Sequence, residues 1–148
     1  MTRYVFALDN YVPKNRRYQA VGKPHPRIIT TKEYRAWLAS VSEQVKRCGL
    51  PRLDRGRWRL TVWTIAPTLR HLDVDVPHID SDASLSAAKD ALQAAGVLDD
   101  DVRVIEDRTA TVYRKGERRL VVVLEQIDRD PTAPDVELER LLSECAAT

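Results

Sequence analysis

Residues 78–104, HIDSDASLSAAKDALQAAGVLDDDVRV, place two groups of aspartates on either side of one helix-length segment. Between these groups, small and apolar side chains recur at helical intervals, which predicts a helix from about Ala83 to Ala95. Gly96, directly after it, is typical of a helix C-terminus. The predicted buried positions of the helix are Leu85, Ala88, Leu92 and Ala95. Because alanines permit close approach of a neighbouring element, this stretch predicts a helix packed on the core.

Segments with the composition of strands lie on both sides of this helix. Aromatic and β-branched residues predict strands at 3–9 and 58–66. Residues 102–115 and 118–127 predict a hairpin about a turn at Lys115 to Glu117. The second arm has the longer apolar run, so we expect it to be the more buried of the two.

Residues 30–49, TTKEYRAWLASVSEQVKRCG, predict a second long helix. Thr30 and Glu33 have the spacing of a capping box, and Gly49 is typical of the residue after a helix end. Its apolar face consists of Tyr34, Trp37, Leu38, Val41, Val45 and Cys48. The order of elements is strand, helix, strand, helix, strand, strand, which predicts a single α+β domain with a mixed β-sheet covered by helices.

The remaining segments are predicted from turn residues and amphipathic spacing. Residues 10–27 contain prolines, a glycine and several basic side chains, which predicts a long loop. We place the domain boundary after residue 128, so that 129–148 form a linker and a short C-terminal amphipathic helix. The leucine stripe of that helix, Leu138, Leu141 and Leu142, predicts packing against another surface. The tryptophans Trp37 and Trp63 and the cysteines Cys48 and Cys145 are predicted to be buried or partly buried.

Charge is distributed unevenly along a chain whose net charge is only +2. Residues 1–70 carry 15 Lys and Arg against 4 acidic residues, whereas residues 71–148 carry 9 against 18. A basic half indicates an anionic partner, and an acidic half with clustered aspartates indicates a metal. The alternative is that the two halves interleave in space and neutralise each other.

The aspartates can form a metal site only under particular backbone geometry. On an extended backbone, the carboxylates of Asp80 and Asp82 leave the same face about 7 Å apart, so they can share one cation. Asp99, Asp100 and Asp101 reach this pair only if the following strand runs alongside. Without a cation, neighbouring carboxylates raise one another's pKa. Mg²⁺ or Mn²⁺ takes oxygen ligands and removes that repulsion, so the pattern permits a divalent-metal site without requiring one.

Residues 80–104, DSDASLSAAKDALQAAGVLDDDVRV, resemble the signature of RusA-type Holliday junction resolvases. In that signature a D-x-D-N motif enters a helix carrying a lysine, continues through D-A-L and A-G, and ends at a D-D pair followed by a valine. Residues 12–41, VPKNRRYQAVGKPHPRIITTKEYRAWLASV, are similar to the family's P-P-S-x-N-R-Y loop and the helix after it. The resemblance spans about residues 1–128.

The resemblance implies a function and a set of site residues. It assigns metal binding and catalysis to Asp80, Asp82 and Asp101, with Asp100 as a neighbouring acid. It implies a homodimer that binds branched DNA, a four-way junction, and makes paired symmetric nicks with Mg²⁺ or Mn²⁺ during DNA recombination and repair. Two active sites related by a two-fold axis suit paired cuts across a two-fold junction.

Two positions depart from the family signature. Ala83 replaces the asparagine after the D-x-D pair, and Ser86 replaces the lysine one turn into the helix. Lys89 lies three residues further on, about one turn along the same face, and its side chain has the length to reach back toward a phosphate. The alternative is that Lys89 pairs with a nearby acid.

A second D-x-D pair, Asp73 and Asp75, competes for the metal-binding role. Asp80 and Asp82 sit at the family spacing from the D-A-L landmark without a gap, whereas Asp73 and Asp75 require seven inserted residues. The first pair is therefore preferred, which leaves Asp73 and Asp75 as loop residues or as a local partner for Arg70. His71 and His78 flank these acids and are interpreted as surface residues rather than ligands.

Basic residues of the predicted loop form a candidate DNA-contacting arm. They are Lys14, Arg16, Arg17, Lys23 and Arg27, with Tyr18 between them as a ring that can stack on an unpaired base. The alternative is a solvated loop.

Together with the absence of a long apolar run, the resemblance implies a cytoplasmic, magnesium-dependent endodeoxyribonuclease without a membrane segment. The rival predictions are a junction-binding protein that has lost nuclease activity, motivated by Ser86, and a small metal-stabilised fold whose acids are purely structural. No P-loop, dinucleotide-binding fingerprint or nucleophile elbow occurs in the sequence.

Overall fold

The computed structural model of the chain describes residues 2–78, 81–99 and 103–146, and only the backbone of residues 81–83. Its strands are β1 (Arg3–Asp9), β2 (Tyr18–Val21), β3 (Arg27–Thr30), β4 (Arg57–Ala66), β5 (Leu69–His71), β6 (Asp75–Pro77), β7 (Val104–Tyr113) and β8 (Arg119–Ile127). Its helices are α1 (Lys32–Arg47), α2 (Ser81–Ala94) and α3 (Val136–Ala146), and a 3-10 turn spans Lys14–Arg16. The predicted α+β class is confirmed.

A mixed four-stranded sheet of order β1-β8-β4-β7 forms the centre of the fold. β8 is antiparallel to both β1 and β4, whereas β7 runs parallel to β4. A parallel pair requires a crossover connection, and α2 lies in the connection between β4 and β7. The end of β4 therefore leads, through the short β5–β6 hairpin, to the first turn of α2.

The predicted hairpin of residues 102–115 and 118–127 is wrong. β7 and β8 lie on opposite sides of β4 and do not pair with each other. The turn between them bonds to the end of β4 instead: the Arg114 amide donates to the Ala66 carbonyl at 3.0 Å, and the Gly116 amide donates to the Pro67 carbonyl at 3.4 Å. The chain reverses where expected, but β4 takes both strands as partners. The expectation that the second arm is the more buried is confirmed.

The two long helices cover one face of the sheet and begin close to their predicted positions. The N-cap of α1 is Thr31 rather than Thr30, because Thr31 Oγ1 accepts a hydrogen bond from the Tyr34 amide at 3.2 Å. α2 begins at Ser81 rather than about Ala83. The core between helices and sheet includes Phe6, Leu8, Trp37, Val41, Val45, Leu60, Val62, Ala88, Leu92, Leu120, Val122 and Leu124.

The predicted loop at residues 10–27 contains regular structure. After the 3-10 turn, β2 pairs antiparallel with β3, so that Tyr18 lies opposite Thr30. The ribbon reverses near Gly22, whose φ of 91° is accessible to glycine with little strain. The prolines and basic residues of this segment favoured a loop prediction, although short runs that form strands lie between them. The basic arm is a two-stranded ribbon and not an irregular loop.

Several side chains predicted to be buried are exposed. Cys48 and Cys145 are both exposed. Trp63 is 44% exposed, because it alternates with core residues of β4 and so lies on the sheet face opposite the helices. No residue of α3 within the described range is buried, and Leu142 is 53% exposed. None of the helices in the described ranges is both long and apolar enough to cross a bilayer.

Candidate functional site

A cavity of about 680 Å³ lies where the 3-10 turn, the end of β4 and the start of α2 meet. The basic residues among its described lining are Lys14, Arg16, Arg17 and Arg118, and this described lining contains no Asp or Glu. A concave surface lined by charges of one sign concentrates the electrostatic potential inside it. The cavity is therefore suited to an anion.

Arg17 forms a buried part of the cavity wall, with only 1% of its surface exposed. Its Nε donates to the Val12 carbonyl at 2.7 Å, and its Nη1 donates to Ser86 Oγ at 3.3 Å. The guanidinium also lies over the Tyr34 ring, 5.3 Å from the ring centroid. Arg17 thus connects the 3-10 turn to both long helices. The sequence placed it in an exposed arm, whereas its burial places it between the arm and the core.

The contact between Arg17 and Ser86 bears on a departure from the family signature. Ser86 stands where that signature has a lysine. In the structure a basic group contacts residue 86 nevertheless, but it comes from the 3-10 turn and not from α2 itself. Sequence spacing could not find this contact, since the two residues are 69 positions apart.

The cavity residues that were not singled out from the sequence include Ser84, Tyr11 and Arg118. Ser84 lies in the first turn of α2, is fully buried, and its Oγ has no hydrogen-bond partner among the described residues. The Tyr11 hydroxyl donates to the Ile65 carbonyl at 3.2 Å. Burial raises the pKa of Tyr11, while the positive charges of Arg118 and Arg17 oppose that rise. Arg118 comes from the turn before β8, so only the sheet topology brings it to this cavity.

The predicted metal ligands fall largely outside the described residues. Asp80, Asp100 and Asp101 lie outside them, and Asp82 is described by its backbone alone. That backbone belongs to the first turn of α2, so the extended geometry expected at Asp82 is not what the structure shows. Among side chains that the structure does describe, no group of three or more His, Cys, Asp or Glu could hold a metal ion. The metal site stays a prediction.

Lys89 lies on α2, where the sequence left two alternatives open. Its Nζ donates to Asp107 Oδ2 on β7 at 2.9 Å, with only 19% of the lysine side chain exposed. This is the pairing with a nearby acid that was the second alternative. The ion pair joins α2 to β7, the strand that runs parallel to β4.

The competing pair, Asp73 and Asp75, lies on the β5–β6 hairpin. Asp75 Oδ1 is 2.6 Å from His71 Nδ1, so the local partner of this acid is a histidine of the same hairpin. Both acids are exposed. His78 follows β6, where its amide donates to the Thr68 carbonyl at 3.0 Å, and it contributes to the cavity lining. The hairpin thus places His78, but not Asp73 or Asp75, against the cavity.

The other residues of the basic arm are exposed. Arg16 lies at the cavity rim, where its Nε donates to Glu33 Oε2 of α1 at 3.1 Å. Tyr18 is 48% exposed, and the edge of its ring contacts Tyr34 with 6.0 Å between centroids. Lys23 and Arg27 lie on the exposed β2–β3 ribbon. The arm therefore divides into a buried anchor and a set of accessible cations.

A second arginine-rich group lies on the opposite sheet face and is called here the open-face cluster: Arg3, Arg59, Arg129, Glu106 and Glu125. Arg59 Nε donates to Glu106 Oε2 at 2.6 Å, and Arg129 Nη1 donates to Glu106 Oε1 at 3.2 Å. Arg3 lies 3.5 Å from Glu125. The hydrogen bond from Arg59, followed by that from Arg129, lowers the pKa of Glu106. In this cluster acids and bases neutralise one another.

Comparison with known proteins does not assign a family. No protein-family model matches the chain, and no curated protein matches it either.

Proposed function

We propose that this protein is a metal-dependent, structure-selective endodeoxyribonuclease that resolves four-way DNA junctions in the cytoplasm during recombination and repair. The observation that supports this proposal best is the basic cavity at the N-terminal end of α2, directly beside the position of the D-x-D sequence. A nuclease of this class needs a cationic surface for the DNA backbone and acidic metal ligands close to it. The basic cavity lies at the N-terminal end of α2, which is the end at which the D-x-D sequence enters the helix.

The proposed roles follow from the chemistry of each residue type. Asp80, Asp82 and Asp101, with Asp100 beside them, are the proposed ligands of Mg²⁺ or Mn²⁺, which when bound supplies an activated water and stabilises charge at a phosphate. The proposed DNA contacts of the arm are Lys14, Arg16, Tyr18, Lys23 and Arg27, whose side chains are accessible. Arg17 contributes its charge from within the cavity wall and holds the arm against α2.

A second candidate function is junction binding without cleavage. It is favoured by Ser86 in place of the family lysine and by the engagement of Lys89 with Asp107. In this alternative the basic cavity and arm bind DNA as before, but the phosphate is not cut. The variant Lys89→Ala tests whether this lysine takes part in cleavage. Full cleavage by the variant shows that Lys89 is not part of the mechanism.

We also propose that the active form is a homodimer. Two surfaces on the described part of the chain carry apolar side chains that no other segment covers. The open sheet face exposes Val5 and Trp63, and α3 exposes Leu138, Leu141 and Leu142. A two-fold pairing through such a face relates two cavities symmetrically, which paired nicks require. Sedimentation of the wild type beside Trp63→Arg tests this: we expect a dimer that the charged variant dissociates, and a monomeric wild type contradicts it.

The nuclease proposal is tested with a synthetic four-way junction and a matched linear duplex. Each DNA is incubated with the protein in Mg²⁺, in Mn²⁺ and in chelator, beside the variants Asp82→Asn and Asp73→Asn. We expect paired nicks on the junction alone, dependent on metal, abolished by Asp82→Asn and retained by Asp73→Asn. The second variant is the matched control, because it removes the same charge from the neighbouring D-x-D pair.

Each other outcome decides between the candidates. Tight junction binding without nicks in either metal supports the binding protein. Loss of cleavage in Asp73→Asn with retention in Asp82→Asn moves the metal site to the β5–β6 hairpin. Neither binding nor cleavage contradicts both functions.

A further inference from the structure

We infer that Ser84, Arg17 and Arg118 form a seat for one phosphate group of the DNA backbone, and that this seat binds phosphate without the metal. This inference rests on the proposed function and deepens it. The resemblance to the resolvase signature assigned no role to Ser84 or Arg118. The cavity geometry carries the inference.

The first observation is the buried hydroxyl of Ser84. Its side chain is fully buried, it lines the cavity, and its Oγ has no hydrogen-bond partner among the described residues. Buried hydroxyls are nearly always hydrogen-bonded, so one without a partner in a cavity wall indicates a group that a ligand satisfies. As a donor, the hydroxyl suits an oxygen that carries negative charge.

The second observation is the position of Ser84 in the first turn of α2. The first backbone amides of a helix have no partner within the helix, and the helix dipole places positive potential at that end. Oxyanions are bound at such helix starts. α2 runs from Ser81 to Ala94, so it is long enough for this effect.

The third observation is the pair of arginines in the same lining. Arg17 is 1% exposed and is held by the Val12 carbonyl and Ser86 Oγ, so its guanidinium is fixed before any ligand arrives. Arg118 enters from the turn before β8, with its guanidinium 5.9 Å from the Tyr11 ring centroid. No carboxylate partner of Arg118 is found in the described ranges. Rigid guanidinium groups match phosphate oxygens in geometry and charge.

The arrangement selects a phosphate rather than a carboxylate or a neutral ligand. A hydroxyl, a helix start and two guanidinium groups offer donors from several directions, which suits the several oxygens of a tetrahedral anion. The seat lies beside the start of α2, where Asp82 occupies the first turn. A phosphate held there lies at the helix end that carries the backbone of Asp82, and its binding positions the DNA backbone before the proposed cleavage.

Two measurements in chelator test the seat without relying on cleavage. The first is the affinity for a four-way junction by fluorescence anisotropy. The second is the change in Tm caused by inorganic phosphate relative to chloride at equal ionic strength. Both use the full chain and compare wild type with Ser84→Ala and Ser42→Ala. Ser42 is the matched control, because it is also buried in a helix but donates to the Ala39 carbonyl at 2.9 Å.

We expect Ser84→Ala to bind the junction about tenfold more weakly, as for loss of a hydrogen bond to a charged group. We also expect this variant to lose the phosphate-dependent rise in Tm, whereas Ser42→Ala keeps the rise and the affinity. Arg118→Gln provides a second variant with a partly exposed side chain, and it should reduce both signals. Equal affinity and an equal phosphate response in wild type and Ser84→Ala overturn the seat.

These measurements distinguish an incorrect phosphate-seat proposal from an incorrect nuclease proposal. Metal-dependent cleavage that is unchanged in Ser84→Ala overturns the seat and leaves the nuclease intact. Ser84-dependent binding in chelator, without cleavage in Mg²⁺ or Mn²⁺, supports the seat and overturns the nuclease. A Ser84-dependent response to inorganic phosphate with unchanged junction affinity overturns the assignment to the DNA backbone and indicates a free phosphate ligand.

Discussion

The protein contains two arginine-rich regions that differ in how their charge is compensated. In the open-face cluster, each glutamate forms an ion pair with at least one arginine, and Glu106 pairs with both Arg59 and Arg129. In the cavity, the described lining contains basic side chains and no acid, and the ion pair of Arg16 with Glu33 of α1 lies at the exposed rim. The comparison shows that arginine content alone does not identify a binding surface. The described cavity lining contains no carboxylate, and this distinguishes it from the open-face cluster.

The largest effect is expected from removing the buried anchor of the cavity. Arg17→Met should lower the free energy of unfolding by about 3 kcal/mol, because the buried Val12 carbonyl loses its donor and the contacts of Arg17 with Tyr34 and Ser86 are lost. Urea unfolding measures this change. The matched control is Arg16→Met, which removes the neighbouring exposed arginine and should leave stability unchanged. An equal effect of the two substitutions contradicts the anchoring role of Arg17.

A smaller effect is expected in the open-face cluster, and it should depend on pH. Arg59 holds the pKa of Glu106 below its ordinary value of 4.5 in the folded state. The ionised carboxylate therefore stabilises the fold above that value, and the stabilisation is lost as the pH falls through the lowered pKa. Glu106→Gln should cost about 1 kcal/mol at neutral pH, and the difference from wild type should vanish in acid.

The control for Glu106→Gln is Glu117→Gln, which alters an exposed turn between β7 and β8. Thermal unfolding across the acidic range compares the two variants. Junction binding by Glu106→Gln should equal that of wild type, since this cluster lies on the face opposite the cavity. Loss of binding on changing Glu106 would contradict the division of the arginines into structural and binding sets.

The smallest effect is expected from neighbouring arginines that face different regions. Arg118 lines the cavity, whereas Arg119 Nε donates to Asp9 Oδ1 on β1 at 2.8 Å. Arg118→Gln should weaken junction binding about fivefold and lower the slope of log affinity against log salt by about one. Arg119→Gln should change neither. Salt titrations of junction binding test both variants, and equal slopes for them contradict the assignment of Arg118 to the phosphate seat.

Much of the fold was predictable because its signals are local. The apolar periods of α1 and α2, the glycines that follow them and the composition of β1 and β4 depend on neighbouring residues, and these predictions were close. The pairing of β7 was not predictable from the turn at Lys115 to Glu117. A turn shows that the chain reverses but not which strand lies next to which, and β4 separates the two arms.

The candidate site divides in the same way. The sequence by itself indicated the aspartates, the basic N-terminal segment and the likeness of their spacing to a resolvase signature, because residue type and spacing are properties of the chain. Only the tertiary structure brought Arg118 to the cavity, buried Arg17 against Ser86 and left Ser84 Oγ without a partner among the described residues. These arrangements involve residues far apart in sequence, and they depend on the order of strands in the sheet. That order is decided by the burial of whole strand faces and not by a local sequence pattern.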